Sequence, residues 1–202
     1  MGMRYGLRRH RDVLLLLSLL MLIVVYPSLD HGTARRIILS FLILLTLIQA
    51  TAQVSRKRHR LWSSVVLLCG MAVFTVAFLI TSKPGFAAVQ WAISAVLFAS
   101  MASGLFAYLK DARDITAGHL YTAASIYLLL AMLWFAIYCA IDAMYPGSFQ
   151  YTGRGAVDRH SELMYFSLVT LTTVGYGDIV AVAGVVRMLA AIEAAVGVLY
   201  IA

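Results

Sequence analysis

Charge is what this chain has least of. Only 12% of its 202 residues are Asp, Glu, Lys or Arg, about half the ~25% of a soluble domain. A surface that faces water all round is therefore excluded. Apolar residues take the place of the missing charge, 62% of the chain, and they run in long stretches, the composition of an integral membrane protein. Acidic residues are scarcer than basic ones, nine against sixteen, for a net charge of +7. The basic residues sit in short stretches beside apolar runs, not on one folded face. They read as topology signals, and nucleic acid is not an expected partner. There are two cysteines, Cys69 and Cys139, both inside apolar runs. They read as small buried hydrophobes rather than a disulfide or a metal site. The five histidines, His10, His31, His59, His119 and His160, show no metal-ligand spacing. No nucleophile–base pattern marks an enzyme, and no resident cofactor is expected.

Six apolar segments follow one another, at about 13–29, 37–54, 61–82, 87–109, 120–142 and 184–202. Each approaches the ~20 residues that a helix needs to cross the hydrocarbon core. Backbone facing lipid cannot stay unpaired, so the segments are predicted to be helices. The predicted fold class is an all-α membrane protein. It has six transmembrane helices, a short re-entrant helix and an extended segment after it. Orientation follows from Lys and Arg. Arg4, Arg8, Arg9, Arg11, Arg56, Lys57, Arg58, Arg60, Lys110 and Arg113 fall on one side of the six-segment pattern. Arg35, Arg36, Lys83, Arg154 and Arg159 fall on the other. The basic excess predicts a cytoplasmic N-terminus and an outside location for the stretch between the fifth and sixth segments.

That stretch carries the most specific pattern in the chain. Residues 143–160 are polar and glycine-rich and read as an extracellular turret. Residues 161–172 would form a helix of about 18 Å, too short to span. Ser161 is the expected N-cap, with Glu162 at the positive end of the dipole. Then comes Thr173-Val174-Gly175-Tyr176-Gly177-Asp178. A short helix plus extended backbone is tolerated at membrane depth only inside protein or beside water, which argues for an oligomer with this segment on its axis. The carbonyls of Thr173, Val174, Gly175 and Tyr176, with the Thr173 hydroxyl, would form stacked oxygen rings. In an ordinary strand carbonyls alternate. Carbonyls on one side require positive φ values, which Gly175 and Gly177 permit. Val174 and Tyr176 would point away from the axis and wedge against the short helix.

From Ser161 to Ala202 the chain resembles the pore of tetrameric potassium channels, on the run Thr170–Asp178 (TLTTVGYGD). Overall it is most similar to voltage-insensitive bacterial ion channels with six-helix subunits. The resemblance implies K+ bound at Thr173, Val174, Gly175 and Tyr176, with Gly177 completing the filter and Asp178 at its mouth. Pore-helix support is assigned to Val169, Thr170, Thr172 and Glu193. One filter strand per chain makes three identical subunits the expected partners, in a homotetramer with permeant K+ and the lipid bilayer. The predicted organisation is a basic cytoplasmic N-terminus (1–12), a peripheral four-helix membrane domain (13–109), a cytoplasmic linker (110–119) and a pore domain (120–202). The predicted location is the plasma (cell inner) membrane, with the chain crossing several times. Segment 87–109 contains no Arg or Lys. A gating charge is worth about 2.3 kcal/mol per 100 mV and a sensor needs several, so voltage sensing of that kind is not expected. Its residues Ala95, Ala99, Ser103 and Ala107 recur every fourth position and offer a close-packing face, or simply an alanine-rich helix.

Glu193 is the one acidic residue deep in the last segment, a functional candidate by its cost there. Two readings stand: a hydrogen bond to Ser167 or Thr170 that stiffens the filter, and an anionic ring in a cavity. Gly197 is read as an inner-helix hinge, on the resemblance, or as a close-packing glycine. Arg187 is expected to snorkel or to pair with Asp178 or Glu162. Two functions of other classes compete with a channel. They are a potassium uptake transporter subunit and a non-conducting membrane sensor or structural protein. A single, complete copy of the six-residue pattern favours the channel. The sequence stops at Ala202 without a basic flank, and a longer native chain is the expectation.

Overall fold

The computed structural model describes residues 2–28, 69–70, 73, 84–111, 117–152 and 158–202. It divides into two compact units, 1–64 with 99–130, and 65–98 with 131–202. The elements in chain order are α1 (Gly2–Ser28), α2 (Pro84–Lys110), α3 (Ala117–Met144), β1 (Phe149–Tyr151), α4 (Arg159–Leu171), β2 (Ile179–Ala181) and α5 (Gly184–Ile201). Among the described residues, α2, α3 and α5 are long and apolar enough to cross a membrane; α1 contributes a shorter apolar stretch, Asp12–Val25. Predicted segments 37–54 and 61–82 lie outside the described residues, apart from Cys69, Gly70 and Val73, which are helical. Cys69 is exposed, not buried as its apolar context predicts, whereas Cys139 is buried. An apolar run alone does not tell an inward face from one that lipid can cover.

In the first unit, α1 buries Asp12, Leu15, Ser18, Leu19 and Leu22 and exposes Leu14, Leu17, Met21 and Val24. The buried set has the helical three-and-four spacing, so α1 has one packed stripe and an apolar outer face. In the C-terminal part of α2, Met101, Ala102 and Leu105 are buried. In the N-terminal part of α3, Thr122 and Ser125 donate their hydroxyls to the carbonyls of Gly118 and Tyr121, at 3.1 and 2.9 Å. A hydroxyl inside an apolar helix is satisfied this way by its own preceding turn.

Pro84 opens α2, where a missing N–H is no loss, and Lys110 lies in its last turn, favourable to the dipole. The expected small-residue face is not a continuous packing surface. Ala95 is buried, but Ser103 is exposed and returns its hydroxyl to Ser100. Burial in α2 follows Ser94, Ala95, Leu97, Phe98, Met101, Ala102 and Leu105 instead, because larger side chains fill the packed side.

The second unit is mostly helical and adds one short two-stranded sheet. β1 and β2 pair antiparallel, with Phe149 opposite Ala181, Gln150 opposite Val180 and Tyr151 opposite Ile179. The ladder extends past both strands. Thr152 N donates to Asp178 O at 2.8 Å, and Val182 N to Ser148 O at 2.9 Å. Phe149 and Ile179 are buried while Gln150 and Val180 are exposed, the alternation of a half-covered strand. Polar and glycine-rich surroundings hide this three-residue pattern in the sequence.

Candidate functional site

The site lies between the start of α4 and the end of α5. Helix α4 begins at Arg159, two residues before the predicted start. Its N-cap is Asp158, not Ser161. The Asp158 carboxylate accepts from the Ser161 backbone N–H at 3.1 Å and from the Ser161 hydroxyl at 2.7 Å. A carboxylate satisfies an orphan amide and also meets the positive end of the dipole, so it displaces the serine as cap. Arg159 then clamps Asp142 near the end of α3, with Nη2 at 2.9 Å from Oδ1 and Nε at 2.6 Å from Oδ2. His160 Nδ1 lies 3.8 Å from Asp158 Oδ1, and its ring lies 5.3 Å from that of Trp91. Burial pushes the Tyr151 phenol above its ordinary range, and the nearby Asp142 carboxylate adds to this.

At the other end of α4 the chain turns into residues 173–178. Thr173 has φ +59°, Gly175 +54° and Gly177 +78°; no positive φ occurs at Val174 or Tyr176. The sign of φ therefore alternates residue by residue. Alternating left- and right-handed residues cancel the reversal of carbonyl direction along a strand, and the oxygens can share one side. Glycine makes this easy at two positions. At Thr173, a β-branched residue, the conformation is an outlier costing about 1–3 kcal/mol. The sequence points only to the glycines.

The strain is held by hydrogen bonds. Thr173 N donates to Thr170 O at 2.9 Å, and Val174 N and Gly175 N both donate to Val169 O at 3.0 and 3.4 Å. Thr172 donates its N–H and its hydroxyl to Leu168 O, at 3.1 and 2.7 Å. These bonds satisfy helix-end carbonyls that would otherwise be orphaned. They also turn the amides of 173–175 toward α4. Asp178 is fixed twice: its Oδ1 accepts from Ile179 N at 3.1 Å, and its carbonyl accepts from Thr152 N. Tyr176 stacks on Tyr165 of α4, with ring centroids 6.4 Å apart and planes 5° apart. Within one chain Val174 and Tyr176 keep 53% and 72% of their surface exposed.

Helix α5 meets α4 at two points spaced one turn apart on each helix. Glu193 Oε1 lies 2.6 Å from Ser167 Oγ, and Gly197 packs on the Leu171 carbonyl so closely that a Cβ there would overlap it. Of the two hydroxyls considered for Glu193, Ser167 is in contact; Thr170 contributes its carbonyl to the turn instead. Glu193 is fully buried, and Tyr138 of α3 donates to its Oε2 at 2.5 Å. The Tyr138 ring is one corner of an edge-to-face cluster with Phe149 of β1 and Phe166 of α4, at 5.3 to 5.5 Å. One glutamate and three aromatic rings therefore join α3, β1, α4 and α5. Arg187 is exposed and makes no ion pair among the described residues. Of the carboxylates expected for it, that of Asp178 is occupied differently: it turns back to the amide of Ile179.

Sequence reasoning missed Tyr138, Asp158 and the Asp142–Arg159 clamp. Two of these had a signal. A tyrosine amid an apolar run needs a partner for its hydroxyl, and Asp158 stands three residues before a serine at a helix start.

Residues 122–202 match the family model described as ion channel. No curated protein matches the chain, and neither does any solved structure. The matched stretch covers most of α3 and everything after it, so this part of the chain is similar to ion-channel domains, and its long apolar helices are those of a membrane protein.

Proposed function

We propose that the chain is a subunit of a potassium-selective channel. Four copies place residues 173–178 around one axis, and K+ passes down its gradient between rings of carbonyls from Thr173, Val174, Gly175 and Tyr176 and the Thr173 hydroxyl, with Gly177 and Asp178 at the outer mouth. The observation that carries this reading is the alternation of φ sign at 173, 175 and 177, with the amides of 173–175 bonded back to α4. Such a backbone has its acceptors available and its donors used, the condition for replacing the water around a cation. One chain supplies one wall, and α5 leaves Val185, Met188, Val198, Leu199 and Ile201 uncovered, an apolar surface for neighbouring subunits and lipid. Val169, Thr170 and Thr172 act as support for the filter, and Glu193 and Gly197 hold the inner helix to it. Conduction is not driven by arginines in α2, whose only basic residue is Lys110 at its end. The N-terminus is cytoplasmic and the membrane is that of the cell.

The test is cation flux from liposomes that contain the purified chain. Rapid, non-saturating K+ flux with little Na+ flux is expected. Saturable turnover would replace this reading with a transporter, and no flux with a non-conducting protein. Crosslinking in detergent should stop at tetramers; dimers alone would overturn the fourfold assembly.

A further inference from the structure

Ser167 Oγ sits between two oxygens. It lies 2.9 Å from the Ala131 carbonyl and 2.6 Å from Glu193 Oε1. A serine hydroxyl has one hydrogen to give, and a backbone carbonyl can only accept. If Ser167 gives its hydrogen to Glu193, the contact with Ala131 sets two acceptors face to face at hydrogen-bond distance. If Ser167 gives it to Ala131, the short contact with Glu193 needs a hydrogen from the carboxyl group. One hydrogen shared between both acceptors gives longer and bent contacts, not 2.6 Å.

A single arrangement satisfies every atom. We propose that Glu193 carries its proton and acts as a neutral link in a hydrogen-bonded chain running from Tyr138 through Glu193 and Ser167 to the Ala131 carbonyl. Tyr138 donates to Oε2, Glu193 Oε1–H donates to Ser167 Oγ, and Ser167 donates to Ala131 O. The surroundings fit a neutral group. Glu193 is fully buried, and no basic side chain bonds to it among the described residues. A bare carboxylate in that place would keep an uncompensated charge away from water. The alternative role for Glu193, an anionic ring facing ions, needs an exposed and ionised carboxylate and is replaced by this one. Glu193 is then a positioning residue: it ties α5 to α4 through Ser167 and to α3 through Tyr138, and it touches no ion.

Infrared difference spectra of the full chain in lipid, wild type against Glu193→Gln at neutral pH, test this without any flux. Loss of one carboxylic-acid carbonyl band in the variant is the expected result. A difference confined to the paired stretches of a carboxylate would overturn the proposal. Tyr138→Phe gives a second reading if Glu193→Gln does not assemble. Removing the donor to Oε2 should move the acid carbonyl band to higher frequency; movement of carboxylate bands in its place would again overturn it. Glutamine keeps one donor and one acceptor, so Glu193→Gln should retain at least half of the wild-type yield of assembled protein, whereas Glu193→Ala should fall about tenfold. Equal losses in both variants would contradict the hydrogen-bonded chain.

Discussion

The two ends of α4 are held by different chemistry. At its start the bonds involve charged side chains: the Asp158 cap on Ser161 and the clamp of Arg159 on Asp142, with the arginine side chain 47% exposed and the aspartate side chain 9%. At its end they are backbone bonds from 173–175, the buried Ser167–Glu193–Tyr138 link, and the contact of Gly197 with Leu171. Charges near water are screened and readily replaced by water. A buried polar link or a backbone contact has no such substitute. The start of α4 should therefore tolerate change, and the end should not.

Substitutions can break this contrast, and they rank by it. Glu193→Ala should act most strongly. It leaves the Tyr138 and Ser167 hydroxyls facing a cavity, with an expected loss of about 4 kcal/mol, read by denaturant unfolding in micelles. Gly197→Ala comes next, at about 3 kcal/mol, because its Cβ meets backbone that cannot rotate away; an unchanged unfolding midpoint would remove the close-packing role. Tyr138→Phe removes one donor and keeps the aromatic cluster, so about 2 kcal/mol is expected. At the opposite end, Asp158→Ala should lower stability by about 1 kcal/mol, the ordinary value of a cap. Arg159→Ala should lower it by about 1 kcal/mol, because loss of the half-exposed Arg159 leaves a buried Asp142 without its partner, and the loss should shrink as salt is raised. If Arg159→Ala proved as damaging as Glu193→Ala, the contrast between the ends would be lost.

The same contrast explains what the sequence made legible. Residues 173–178 and the short helix before them are contiguous, so their backbone demands are written in neighbouring residues. Glu193 stood out because an acid in an apolar helix is rare. Tyr138, 55 residues away in the chain, and the pairing of β1 with β2 depend on which segments meet in space, and local pattern does not encode that. The Thr173 conformation was hidden for another reason. Threonine is a poor left-handed residue, and it adopts φ +59° where α4 supplies the bond that holds it. The inference that helix ends follow the predicted cap failed at Ser161 because a stronger acceptor stood three residues earlier.

Alternating backbone hand at 173, 175 and 177 is proposed to create the ion pathway. The most direct measurement is the reversal potential in a planar bilayer with K+ on one side and Na+ on the other, for the wild type and for Gly175→Ala. Alanine at φ +54° is strained by about 1–2 kcal/mol. A wild-type potential strongly biased to K+ is expected, with a variant that moves toward zero or stops conducting. A wild-type potential at zero, or a variant as selective as the wild type, would contradict it.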